Sequence, residues 1–303
     1  MYEIAGVHHV AIGVNNMEAM KSYYKDILEF KIQESPDGPK DIISDITRGV
    51  IPVFSASMLS QGAGGIVIEL IRMNTPAPRA IRRDFRYGDI GVNKMTIAVS
   101  DVKKVYGELK NNANFCSSPK SVEIPGWGAY NFVYAKDPEG NLIEFASGGK
   151  LPVKNKFGGV MWIGISVTDL KRSIDFYQKY AGFDTLFIKN HGKFTGSVDE
   201  ISGSKLTKVR SCILSSSKGS GMVELFEVRQ PRGRSIPSYT LWGDFGYLQT
   251  ALMCKNVPEI ADYFEKEGLE FVLQLQRIPG EDAAFTYVRD PDGIVLEFLS
   301  FGK

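Results

Sequence analysis

The chain has 303 residues, 43% of them apolar and 23% charged, with a formal net charge of +1. This is the balance of a soluble globular protein with two ordinary domains or one large one, and it excludes a general nucleic-acid or membrane-surface role. Cys116, Cys212 and Cys254 are too few and too scattered for a disulfide framework or a thiolate metal site. With no signal-like start in MYEIAGVHHV and no apolar run near the roughly 20 residues of a membrane helix, the expected location is the cytoplasm.

In chain order, the first predicted element is a strand through His9-Val10-Ala11-Ile12-Gly13-Val14. A helix follows over 17–28, where Met17, Met20, Tyr24 and Ile27 recur at helical spacing and Asn16 stands at the N-cap position. An apolar strand is predicted over Gly65–Ile71. The pattern restarts at Lys94-Met95-Thr96-Ile97-Ala98-Val99 and ends in a strand over Asn141–Ala146, preceded by Asp137-Pro138-Glu139-Gly140. That tetrapeptide is turn chemistry, because proline presets φ and glycine accepts positive φ. Residues 148–157, rich in glycine and lysine with Pro152, read as a linker.

Beyond the linker the series recurs. Trp162-Ile163-Gly164-Ile165-Ser166-Val167 repeats the first strand at an offset of 153, and Asp290-Pro291-Asp292-Gly293 repeats the turn at the same offset. Gly88-Asp89-Ile90-Gly91 returns as Gly243-Asp244-Phe245-Gly246 at an offset of 155. Asp169 caps a helix over 170–180 carrying Leu170, Ile174 and Tyr177, and further terminal strands fall at Gly221–Phe226 and Ile294–Leu299. Gln249-Thr250-Ala251-Leu252-Met253-Cys254 opens the last unit. Duplication explains these ordered matches. The chain therefore reads as α+β, with four βαβββ modules at 5–75, 90–147, 158–230 and 245–301, grouped as 1–147 and 158–303 around the linker 148–157.

Strand parity separates core residues from cavity residues, since successive side chains face opposite sides. His9, Ala11 and Gly13 share one face, against His8, Val10, Ile12 and Val14. Lys94, Thr96 and Ala98 share a face, as do Trp162, Gly164 and Ser166, and Gln249, Ala251 and Met253. Glu69 and Glu144 interrupt apolar runs, where a carboxylate is costly unless paired or metal-bound.

These strands, with Tyr23-Tyr24, Val67-Ile68-Glu69-Leu70 and Asp137-Pro138-x-Gly140-x3-Glu144, resemble the four signature strands of a vicinal oxygen chelate (VOC) domain, twice over. That superfamily includes glyoxalases, epimerases, extradiol dioxygenases and bleomycin-resistance proteins. The resemblance implies two VOC domains with cupped mixed or antiparallel sheets and flanking helices. In metal-dependent members each of the four strands offers one ligand, and a divalent ion holds two substrate oxygens.

Carried over by position, the first half offers His9, Glu69, Lys94 and Glu144. Protonated lysine cannot ligate, so the expected metal set is His9, Glu69 and Glu144, suited to Mn, Fe, Co, Ni or Zn, with no organic cofactor. The second half offers Trp162, Glu224, Gln249 and Glu297. None of these four is a histidine, and this half is expected to shape the substrate or support the fold rather than to bind metal. An iron dioxygenase, needing two histidines and a glutamate there, is disfavoured.

Two readings of Lys94 stand. It replaces the metal as an ion pair between Glu69 and Glu144, or it transfers a proton beside the metal, with Glu144 as the other catalytic candidate. His8 is expected to be structural, and His191 to lie in a solvated loop. The arginines at 79, 82, 83 and 86, with Arg229, Arg232 and Arg234, read as linker surface or as a contact for an anionic tail. Trp127 lines a pocket or packs on the sheet. The functional expectation is a glyoxalase-like isomerase, epimerase or lyase working through an enolate on a small oxygenated substrate. The alternatives are a metal-free, bleomycin-resistance-like binding protein and an extradiol dioxygenase. The partner is a small molecule, with no nucleic acid or membrane; a homodimer is compatible with all three.

Overall fold

Each module folds as strand, helix and a run of further strands in a computed structural model that describes residues 3–34, 40–62, 64–149, 151, 153–190 and 197–302. The first module is β1 (Ile4–Gly13), α1 (Met17–Ser22, extended by a wider turn over Tyr23–Ile27), β2 (Lys31–Glu34), a 3-10 segment (Lys40–Thr47), β3 (Val53–Ser60) and β4 (Val67–Thr75). The second is β5 (Gly91–Val99), α2 (Val102–Leu109), β6 (Asn114–Phe115), β7 (Lys120–Ile124), β8 (Gly128–Lys136) and β9 (Leu142–Gly148). The third is β10 (Phe157–Ser166), α3 (Leu170–Tyr180), β11 (Thr185–Asn190), α4 (Asp199–Ser202), β12 (Lys208–Ser215) and β13 (Met222–Gln230). The fourth is β14 (Gly246–Cys254), α5 (Val257–Glu267), β15 (Phe271–Arg277), β16 (Ala283–Arg289) and β17 (Val295–Phe301). His191 lies outside the described residues. No described helix is long and apolar enough to cross a membrane.

The modules do not close their sheets within a half. One sheet runs β15-β16-β17-β14-β1-β4-β3-β2 and so joins the first module to the fourth. The other runs β11-β12-β13-β10-β5-β9-β8-β6 and joins the third to the second. The seams are antiparallel pairs, β1 with β14 and β10 with β5, and their registers correspond: His9 faces Ala251 and Ala11 faces Gln249, while Trp162 faces Thr96 and Gly164 faces Lys94. The grouping into 1–147 and 158–303 describes the sequence repeat, whereas each folded sheet takes one module from either side of the linker.

Local chemistry places these elements as the sequence suggests. Asn16, Asp101, Asp169 and Asn256 each accept a backbone N–H at the start of their helix, relieving one of the unpaired donors there. Asp137 accepts the N–H groups of Glu139 and Asn141, and Asp290 those of Asp292 and Ile294. Each also accepts a buried tyrosine hydroxyl, from Tyr24 at 3.1 Å and Tyr177 at 3.3 Å, which ties the turn to the first helix of its own half. Burial is the main cause that raises Asp137 to about 6 and Asp290 to about 7.

The repeated Gly-Asp-x-Gly has a structural reason. Asp89 accepts the backbone N–H of Arg234 in the other half, and Asp244 accepts that of Arg79. Each aspartate thus pins the opposite inter-module connection across the seam. The preceding glycines, Gly88 and Gly243, have φ of +100° and +92° and lie against Val228 and Met73, where a Cβ would sit 2.6 and 2.4 Å away.

Candidate functional site

The exchange of modules makes two cups. The first gathers His9 from β1, Glu69 from β4, Gln249 from β14 and Glu297 from β17. The parallel pairings put Ala11 beside Glu69 and Ala251 beside Glu297, so all four side chains share one face of the sheet. His9 Nε2 is 3.3 Å from Oε2 of Glu69 and 3.3 Å from Oε2 of Glu297. It is buried, yet aligned as a hydrogen bond with neither. Burial opposes a charge on this imidazole, but the two carboxylates outweigh burial and raise its pKa to about 10.

Neighbours fix the orientation of the set. His8 Nδ1 is 2.9 Å from His9 Nδ1, and burial followed by the adjacent His9 pushes His8 down to about 4. A neutral His8 accepts the Nδ1 proton of His9, which turns the lone pair of His9 Nε2 toward the acids whenever His9 is itself neutral. Gln249 Nε2 donates to Glu297 at 2.8 Å and to the Tyr287 hydroxyl at 3.1 Å. Its Oε1 accepts the indole N–H of Trp242 at 2.8 Å, which keeps the amide oxygen turned away from the acids. Small residues, Ala11 and Ala56, floor the cup. Ile43 and Ile46 of the 3-10 segment pack with Leu273 and Tyr287 over one side, and Phe54 meets Trp242 edge-on at 5.2 Å.

The second cup holds the equivalent positions with different chemistry. Lys94 Nζ pairs with Glu144 and, at 2.7 Å, with Glu224 Oε2. Thr96 donates to the same Glu144 oxygen at 2.7 Å. Burial works against the ammonium, but the two carboxylates hold the lysine above its ordinary pKa, so it carries no lone pair with which to act as a base. Burial is also the main cause raising Glu224. Trp162, fully buried, stacks near Tyr130 with ring centres 6.3 Å apart and fills the space. A void of about 30 Å³ remains beside Tyr87, Tyr134 and Glu144.

The expected metal set His9, Glu69 and Glu144 is therefore divided. Glu144 belongs to the other sheet and is bonded to Lys94, and Glu297 stands where it was expected. Lys94 and Glu144, the expected proton-transfer pair, are sealed in the second cup, and the lysine bridges Glu144 and Glu224 rather than Glu69 and Glu144. The four residues of the second half also part company: Gln249 and Glu297 join His9, while Trp162 and Glu224 join Lys94. Trp127 packs among Ile124, Tyr130 and Phe132 on the second sheet, away from the first cup. Arg79, Arg82 and Arg234 are engaged within the inter-module connections.

Sequence reasoning missed Trp242 and Tyr287, which set the Gln249 amide and which no motif marks. It also missed which modules pair. The signal available was chemical: joining first to fourth puts His9, the only cup-facing histidine among the described residues, with a neutral amide and two acids, and leaves the lysine between two acids.

The family described as the Glyoxalase/Bleomycin resistance protein/Dioxygenase superfamily matches residues 6–145 and 159–298. The chain belongs to this superfamily. Among solved structures, glyoxalase I from Zea mays is 19% identical, with a TM-score of 0.68 over 97% of this chain and 92% of its own. A point mutant of the same enzyme gives 0.70 at the same identity and coverage. A Bacillus subtilis protein described as a candidate dioxygenase is 13% identical, with a TM-score of 0.63 over 100% of this chain and 87% of its own. At these identities the likeness is one of fold. No curated protein matches the chain significantly.

Proposed function

We propose that the first cup is a divalent-metal site for glyoxalase-like isomerase or lyase chemistry on a small oxygenated substrate. One observation carries the reading: a buried imidazole nitrogen without an aligned hydrogen bond lies 3.3 Å from an oxygen of each of two glutamates. Ligands held about 2.0–2.2 Å from one ion are roughly 2.9–3.5 Å apart, so the spacing suits neighbouring ligands. Among the described residues, no group of three His, Cys, Asp or Glu is placed to hold a metal ion as it stands; His9, Glu69 and Glu297 are instead closed on one another. One nitrogen and two carboxylates suit Mn, Fe, Co, Ni or Zn.

When bound, the ion supplies Lewis acidity that polarises a substrate carbonyl. The protein's own groups do the rest. Glu297 is tethered by Gln249 and stays in place. Glu69, the more exposed acid (18% against 10%), is the proton carrier, taking a proton from the carbon next to the carbonyl and returning it at a neighbouring position. The apolar covering from Ile43, Ile46, Phe54 and Trp242 limits water, which strengthens each charge interaction inside.

Elemental analysis after reloading with metal and desalting tests this. About one ion per chain is expected, lost in Glu69→Gln and Glu297→Gln and kept in Glu144→Gln. An ion retained by Glu297→Gln and lost by Glu144→Gln overturns the reading.

A second reading, a metal-free binding protein similar to bleomycin-resistance proteins, is favoured by one feature. A protonated His9 already offsets one of the two carboxylate charges of Glu69 and Glu297 without any ion. That reading expects no retained metal and ligand affinity indifferent to chelator.

A further inference from the structure

A cavity of about 430 Å³ lies outside both cups, between the two inter-module connections and the first residues of β5 and β14. Its walls include Ile81, Phe85, Ile236, Trp242, Phe245 and Leu248. The volume lies within the roughly 300–1,000 Å³ of small-molecule sites.

Its frame is fixed. Ile81 N–H donates to Phe245 O, and Phe245 N–H donates to Arg79 O. Arg82 donates to the carbonyls of Arg234 and Ser235. Arg79 donates to Tyr239 O at 2.8 Å and lies 4.3 Å over the Tyr239 ring. Hydrogen bonds across the seam thus fix the walls of the cavity.

Its charges are already used. Arg82 faces Asp89 at 3.6 Å. Glu139 accepts the N–H groups of Asn15 and Asn16. Asp292 pairs with Thr168 and Arg172, and Arg289 with Glu270 at 2.9 Å. A charged ligand would gain no free counter-charge among these groups and would lose its hydration. Thr240 also lines the cavity, but its Oγ1 is sealed away from the open space.

We infer that this cavity binds a neutral, mainly aromatic small molecule. Its aromatic walls match such a body. Trp242 belongs to both places, since its ring lines the cavity and its N–H holds Gln249 in the first cup.

Calorimetric titration with 2-naphthol, in the presence of chelator, tests the site independently of whether the first cup holds metal. Saturable binding of one molecule per chain is expected, abolished by Ile236→Trp, which fills the cavity. Titrated by fluorescence, 2-naphthol quenches tryptophan emission, and Trp242→Phe removes the quenching while calorimetric binding persists. Absence of saturable binding, survival of full affinity in Ile236→Trp, quenching unchanged by Trp242→Phe, or 2-naphthoate binding as tightly as 2-naphthol each overturns the proposal.

Discussion

The two cups occupy equivalent places on equivalent seams and differ at two of four positions. Each keeps a glutamate on both flanking strands, Glu69 and Glu297 in one and Glu224 and Glu144 in the other. Where the first has His9 and Gln249, the second has Trp162 and Lys94. Once His9 gives up its proton, an imidazole and an amide leave two negative charges for a cation to balance. An ammonium supplies that cation from the chain itself, and an indole takes up the space a substrate would need. The same backbone thus carries a cup built around an imidazole, which can lose its proton, and a cup built around a lysine, which keeps it, and the difference rests on which side chain brings the positive charge.

The largest effect is expected from converting one cup into the other. Trp162→His with Lys94→Gln gives the second cup the residue types of the first, and metal content should rise from about one ion per chain to about two. A content that stays at one would show that the cup's outer residues, not its four strand positions, decide occupancy. Next comes Lys94→Met, which leaves Glu144 and Glu224 buried without a counter-charge. It should cost about 3–5 kcal/mol in chemical denaturation, and adding Glu144→Gln and Glu224→Gln should recover most of the loss. Gly164→Ala should cost about 1–3 kcal/mol, because a Cβ there would lie 2.6 Å from the Lys94 stem; Ala11 already occupies the matching place in the first cup. Trp242→Phe should cost about 1 kcal/mol through the lost hydrogen bond to Gln249. The corresponding seam position in the second cup needs no such tether.

The smallest effect is a pH dependence common to both seams. Asp137 and Asp290 have folded pKa values of about 6 and about 7, above the ordinary aspartate value. Their protonation therefore favours the folded state. That contribution is complete below the ordinary value and is lost as pH rises through 6 to 7. Thermal melts of Asp137→Asn with Asp290→Asn should be flatter than wild type over this range, and equal slopes would refute the burial argument.

Much of the fold was legible because it is local. The caps at Asn16 and Asp169, the Asp-Pro-x-Gly turns and the four terminal strands follow from propensity, parity and turn chemistry within a few residues. Parity picked the four cup-facing positions on the opening strands, the broken apolar runs marked Glu69 and Glu144, and the family resemblance supplied Glu224 and Glu297. The partnership of modules was not legible, because both joinings satisfy the same alternation and the same burial. What distinguishes them is contact across the seam: Asp89 with Arg234, Asp244 with Arg79, and a lysine that finds Glu224 rather than Glu69. Trp242 was hidden for a related reason. It lies in a connection with no period, and its role appears only when Gln249 is beside it.

The exchange of modules across the linker bears on descent. A chain consisting of one repeat, paired with its own copy, would build two identical cups and could not improve one at the other's expense. Joining two repeats covalently lifts that restriction: each seam draws on separately encoded residues, so one can specialise in chemistry while its counterpart is given over to holding the molecule together.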